Sequence, residues 1–198
     1  WLTALEDAIA AQGIAVAARR REMVAALGER CRDGDGPFPG AALAMTGTVE
    51  DWLDEGPAVD AEDRFRAHLA ASRDADAESG GSAIGPHRSD LAVSHGTTGI
   101  AARHCSTGEQ KALLVAIVLA AARYHAEICG YAPLLLLDEV AAHLDDVRRR
   151  ALFETVEALS MQAWMTGTDA AVFAPLGDRV QRFAVADGQI SPGRAART

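Results

Sequence analysis

Leu134-Leu135-Leu136-Leu137-Asp138-Glu139 sets two adjacent carboxylates at the end of an apolar run. Acids delivered at the C-terminal end of a buried strand lie where α/β sheets present their ligands. Asp138 in that position suits Mg²⁺, held through water, because a hard cation shared with phosphates needs only one or two protein carboxylates. Glu139 is then placed to polarise an attacking water. A core strand ending in two solvated acids has the same sequence, and short motifs match by chance. The neighbouring elements therefore have to decide between the two readings.

Ahead of the acids, Ser106-Thr107-Gly108-Glu109-Gln110-Lys111 opens a long apolar stretch. Ser106 and Glu109 have the spacing of a capping box, so helix initiation alone accounts for part of the pattern. A helix start that contains glycine also exposes unpaired N–H groups and the positive end of the helix dipole, which suits a phosphate. After the acids, Asp145 is an N-cap candidate for the next helix. Further on, Met165-Thr166-Gly167-Thr168-Asp169 sets two hydroxyls, those of Thr166 and Thr168, at the end of the next strand. His87, His95 and His104 lack the spacing of zinc ligands.

These residues need elements to hold them. Leu2, Ile9, Val16 and Met23 recur every seven residues, with Leu5 and Leu27 on the same side, and predict an amphipathic opening helix whose apolar stripe faces its own domain. Gly13 weakens its middle. Asp33 to Gly40 reads as a loop. A second helical stretch runs from near Ala61 to Ala77 and is broken at Gly80-Gly81-Ser82. Beyond it the pattern becomes β-type: Asp90 to Ser94, a His95-Gly96 turn and a return strand near Ile100 to Arg103. A helix from Thr107 to about Cys129 follows, then Leu134 to Leu137 as a strand buried on both faces. Next come a helix with Leu152, Val156 and Leu159 inside, a strand over Gln162 to Met165, and a hairpin around Asp187-Gly188. Ser191 to Thr198 reads as a frayed tail. The expected division is 1–83, a helical region, and 84–198, an α/β lobe.

Taken in order, these segments resemble a known family. Leu134 to Glu139 has the form of a Walker B element, Ser106 to Lys111 resembles the ABC signature, and Ala141-Ala142-His143-Leu144-Asp145 resembles the D-loop. Gly85-Pro86-His87-Arg88 before an acidic, apolar strand, together with Thr166-Gly167-Thr168, is similar to RecF-type members of the ABC ATPases. The match is specific over residues 65 to 170 and weak before residue 60. It implies an α/β fold, the C-terminal lobe of an ABC-type (P-loop NTPase) head with a preceding helical domain. It implies ATP and Mg²⁺ as ligands, with Asp138 toward the metal through water and Glu139 as the catalytic residue that polarises the attacking water. Ser106, Thr107, Gly108, Glu109, Gln110, Asp145, Thr166 and Thr168 are the implied nucleotide contacts. The signature surface would complete a site on the opposing subunit, making ATP the glue of a homodimer. DNA at single-strand gaps and single-strand/double-strand junctions, RecR and RecO are the implied partners, with RecA loading and SOS induction as the implied outcome.

Composition sets limits on these readings. The chain of 198 residues is 49% apolar and 24% charged, an ordinary globular balance. A net charge of −9 does not mark a general nucleic-acid binder, so DNA contact would need local patches such as Arg19 to Arg21 or Arg148 to Arg150. Each of those runs also reads as a solvated helix face. Cys31, Cys105 and Cys129 form no CxxC pair and point to a reducing cytoplasm. The first thirty or so residues lack an apolar export segment. The longest uncharged apolar run, Ala112 to Ala122, is shorter than the roughly 20 residues of a spanning helix, so no membrane is expected.

No G-x-x-x-x-G-K-[ST] loop occurs in these residues, the Gln-loop near it is absent too, and the chain opens on Trp1 rather than methionine. A fragment is therefore expected, inactive alone and without tight ATP binding. Two alternatives stand beside this reading. An SMC-like head fragment would need long heptad arms, which the glycine- and proline-rich loop interrupts. A non-enzymatic adaptor would have no use for Glu139 and Ser106.

Overall fold

The computed structural model describes residues 1–193, so the last residues of the tail expected over Ser191 to Thr198 lie outside it. The chain is mixed α/β, as expected. Its contacts divide it into two compact units, one of residues 1–32 and 41–101, the other of residues 33–40 and 102–198. The division drawn at residue 83 follows the glycine break, whereas the contacts divide the chain after Ala101 and join the 33–40 loop to the later unit.

In the first unit, helix α1 (Leu2–Cys31) is continuous through Gly13. Its buried face is made of Glu6, Ala10, Gly13, Ile14, Ala17, Val24, Leu27 and Cys31. The heptad stripe expected to face inward is turned out, with Leu2, Leu5, Ile9, Val16 and Met23 all exposed and only Leu27 inside. The reason is close approach. Helix α3 (Ala58–Ala71) brings Phe65 against the small residues of α1, and a Cβ on Gly13 would lie 2.7 Å from the Phe65 ring. Small residues admit a neighbouring ring that a row of leucines would hold off. Gly13 is thus a packing residue rather than a weak point. Phe65 joins Ala10, Ile14, Ala17, Val49, Ala61 and Leu69 in the core of this unit.

The expected second helix is two. After α2 (Thr48–Glu55), α3 ends at Ser72 and α4 (Arg73–Ser79) runs to Gly80, which closes it in the left-handed conformation. Strand β2 (Asp90–His95) pairs antiparallel with β1 (Ala41–Thr46), Ala41 opposite His95 and Thr46 opposite Asp90. The return strand expected near Ile100 to Arg103 reduces to one bridge between Ser94 and Ala101, followed by a 3₁₀ turn over Ala102–His104. Alanine, leucine and methionine favour helix in isolation, so Ala41–Thr46 carries little strand signal. Pairing with β2 overrides that preference.

In the second unit, α5 (Thr107–Cys129) begins at the Ser106 capping box and ends at left-handed Gly130. By length and composition α5 could cross a bilayer. Here its Leu113, Val115, Leu119, Ala120 and Ala122 are buried. Strands β3 (Leu135–Leu137) and β4 (Ala163–Met165) pair in parallel, with Leu136 opposite Trp164. Helix α6 (Asp146–Ala158) connects them and buries Leu152, Phe153 and Val156 in the same core as Leu135, Leu137 and Phe38. β3 is buried on one face only: Leu135 and Leu137 point in, while Leu134 is 56% and Leu136 71% exposed. A two-stranded sheet covered by helices on one side leaves alternate residues on the other side in solvent. The hairpin forms as expected, with β5 (Phe183–Ala186) and β6 (Gln189–Pro192) joined by Asp187 and Gly188, both at positive φ.

Candidate functional site

The parallel register of β3 and β4 decides which side chains meet. Leu137 lies opposite Met165, and Thr166 N–H donates to the Leu137 carbonyl at 3.0 Å. Thr166 therefore leaves β4 alongside Asp138 as Asp138 leaves β3. Its Oγ1 accepts a hydrogen bond from Glu139 N–H at 3.0 Å and donates to Asp138 Oδ1. One hydroxyl ties the carboxylate of the first acid to the backbone of the second.

The chain bends sharply at that point. Glu139 has φ 53°, in the left-handed region that non-glycine residues seldom occupy, immediately after a regular strand. Such conformations cost roughly 1–3 kcal/mol and persist only where surrounding contacts hold them. Glu139 is half-buried, whereas Asp138 and Thr166 are exposed. The second oxygen of Asp138 stays available for a hydrated cation. Among the described residues, no three histidine, cysteine or acidic side chains gather as a metal site. A divalent cation here would take the hydrated, one-carboxylate form that Mg²⁺ adopts with phosphates.

At the start of α5 the capping box is complete. Glu109 N–H donates to Ser106 Oγ at 3.3 Å, and Ser106 N–H donates to Glu109 Oε2 at 2.8 Å. The Ser106 hydroxyl donates to the same carboxylate at 2.7 Å, and Gln110 Nε2 donates to the Cys105 carbonyl at 3.0 Å. Ser106, Thr107, Gly108, Glu109 and Gln110 are all exposed. Both local functions of the segment coexist: it starts the helix, and it presents the N–H-rich end to solvent. Asp145 caps α6 by accepting from Arg148 N–H at 2.8 Å and is itself exposed. Thr168 is exposed beyond β4. The structure thus joins Asp138, Glu139 and Thr166 into one cluster, while the bonds of Ser106, Gln110 and Asp145 serve their own helix starts.

The Gly-Pro-His-Arg segment is held from within the first unit. His87 Nε2 lies 3.0 Å from the Ser82 carbonyl, and Arg88 Nε donates to that same carbonyl at 3.2 Å. Arg20 donates to the Pro86 carbonyl at 2.6 Å. Gly85 has φ 149°, and a Cβ there would lie 2.8 Å from His87 Nδ1, so only glycine fits the turn. Ser89 Oγ lies 2.7 Å from both oxygens of the buried Glu50 carboxylate and can donate to one of them. The arginine runs are engaged as well. Arg19 pairs with Glu22, Arg21 with Asp54 and Arg149 with Asp146, while Arg148 donates to the Pro37 carbonyl.

No family model matches the chain. Over 195 residues, 97% of its length, the chain is 50% identical to the DNA replication and repair protein RecF of Mesorhizobium japonicum. It is likewise 50% identical over 194 residues to RecF of Rhizobium meliloti. The chain belongs to the RecF family. It spans about half the length of the curated relatives it matches, 51% in both cases. Among solved structures, the recombination mediator protein RecF with ATP, from the RecFOR pathway, superposes with a TM-score of 0.71 at 19% identity. That match covers 97% of this chain and 50% of the other, and it shows a RecF fold.

The acids and the threonine are each legible in the sequence; the bonds of one threonine hydroxyl to both acidic positions, and the left-handed backbone of Glu139, are not. Both depend on the parallel register that sets Leu137 opposite Met165 and so puts Thr166 beside Asp138, which neither segment carries by itself.

Proposed function

We propose that this RecF-family chain supplies one lobe of an ATP-binding and ATP-hydrolysing DNA repair and replication protein that dimerises around nucleotide. The observation that carries this reading is the Asp138, Glu139 and Thr166 cluster at the C-terminal end of a parallel strand. In this reading Asp138 would hold Mg²⁺ through water and Glu139 would polarise the attacking water. Mg²⁺ when bound would neutralise charge developing on the phosphate oxygens. Ser106 to Gln110, exposed at the start of α5, contribute N–H groups to nucleotide held on a second copy. Asp145 and Thr168 line the approach to that nucleotide. The phosphate-gripping loop belongs to the part of RecF-family proteins outside this chain, so these residues alone neither bind ATP tightly nor hydrolyse it. DNA at single-strand gaps and junctions, with RecR and RecO as partners, RecA loading and SOS induction as outcome, and a cytoplasmic setting, complete the proposal. The relatives' description as DNA replication and repair proteins supports it.

Light scattering on the full-length protein tests the core of this reading. ATP should convert monomer to dimer, Ser106→Arg should abolish the conversion, and Glu139→Gln should trap the dimer. A monomer indifferent to ATP would overturn the reading in favour of an adaptor that keeps the lobe only for protein contacts.

A further inference from the structure

We infer that Thr166 is a positioning residue: its hydroxyl holds the Asp138–Glu139 turn in its working shape and has no proton left for a phosphate. A threonine hydroxyl has one proton and two lone pairs. The proton goes to Asp138 Oδ1, and one lone pair accepts from Glu139 N–H. What remains is a single acceptor site, which can receive a hydrogen bond from a water but cannot donate to a phosphate oxygen.

The geometry gives this bond pair a specific task. β3 and β4 pair through their backbones as far as the bond from Thr166 N–H to the Leu137 carbonyl. Beyond it the Thr166 side chain takes over from the backbone ladder, pairing with the two residues that follow Leu137. Glu139 needs such support because its left-handed backbone is unfavourable for a residue with a Cβ. The same bond pair fixes one oxygen of Asp138 and leaves the other free. Without the hydroxyl, Glu139 N–H loses its acceptor, the turn can relax to ordinary backbone angles, and the Glu139 carboxylate moves from its place. Displacements of about 1 Å at a reacting centre cost on the order of 10²-fold in rate.

The inference rests on the hydrolytic reading proposed above, and its test separates the two. In full-length, nucleotide-free protein, residue-resolved amide hydrogen exchange reports on Glu139 N–H before any phosphate is present. Thr166→Val should speed that exchange about tenfold or more, and Thr166→Ser should restore protection, as follows from breaking and remaking one opening equilibrium. In steady-state ATP hydrolysis, Thr166→Val should lower kcat at least about tenfold with KM for ATP changed by less than about threefold, and Thr166→Ser should recover most of the loss. Thr166→Ala serves as the second hydroxyl-free variant if valine disturbs folding, with thermal melts as the control. Unchanged exchange at Glu139 in the hydroxyl-free variants overturns the inference. Faster exchange with kcat intact overturns it as well, since the turn then needs no such support. A loss confined to KM points to direct contact with nucleotide and also overturns it. If the wild-type protein shows no hydrolysis at all, the proposed function fails, while exchange at Glu139 still decides whether Thr166 holds the turn.

Discussion

Replacing Glu139 by glycine should stabilise the protein while replacing it by glutamine should not, although both substitutions remove the carboxylate. The difference lies in the backbone. Residue 139 has φ 53°, and a left-handed residue with a Cβ costs roughly 1–2 kcal/mol relative to the right-handed conformation. Glycine avoids that cost but also gains freedom in the unfolded chain, which offsets about 0.4–1 kcal/mol. The net expectation is that Glu139→Gly exceeds Glu139→Gln in unfolding free energy by about 0.5–1 kcal/mol, the difference between those two terms. Urea denaturation followed by tryptophan fluorescence suits the measurement, because Trp164 lies in β4 just ahead of Thr166, stacked on Phe183. Both variants should be inactive in ATP hydrolysis, so the comparison isolates conformation from chemistry. Equal stability of the two, or an advantage for glutamine, would refute the argument that this site stores backbone strain. Adding Thr166→Val to both should shrink the glycine advantage, because a turn released by loss of the hydroxyl has less strain to relieve.

Two further predictions concern the first unit. Gly13→Ala should lower stability by about 1 kcal/mol in thermal or chemical unfolding: alanine gains about 1 kcal/mol of helix propensity, but its Cβ would lie 2.7 Å from the Phe65 ring and overpacking costs roughly 1–3 kcal/mol. A stabilised variant would show that Phe65 yields freely. Glu6 accepts hydrogen bonds from Arg73 Nε and Nη2, both at 2.6 Å, and bonding to that guanidinium holds its carboxyl below the ordinary glutamate value. A depressed carboxyl stabilises fully above its unfolded value and loses that contribution as pH falls through the folded one. The stability gap between wild type and Glu6→Gln should therefore be present at neutral pH and close on acidification below the glutamate range, as a pH series of denaturation curves would show. A gap independent of pH would mean that Glu6 acts only through packing.

Elements with strong local signals were legible from the residues. Helix α5 runs from Thr107 to Cys129 as read, because Ser106, Glu109 and Gly130 are local start and stop signals. The β5–β6 hairpin was legible for the same reason, since Asp187-Gly188 carries its turn in its own backbone preferences. Elements whose identity depends on a distant partner were not legible. Ala41–Thr46 looks helix-prone and is a strand because β2 lies beside it. The heptad stripe of α1 looked like the buried side, but burial follows whichever face admits a neighbour, and Phe65 reaches only the small residues.

The candidate site divides in the same way. Which residues could do chemistry was decided by the sequence: two acids ending an apolar strand, a capped helix start bearing glycine, and threonines after the next strand. Their type and order are local properties, and they sufficed for the RecF resemblance. How they act on one another was decided only by tertiary structure. The parallel register of β3 and β4 brings Thr166 to Asp138 across a gap in sequence of 28 positions. That contact, together with the left-handed turn at Glu139, arises from the pairing of two strands whose register no single segment encodes.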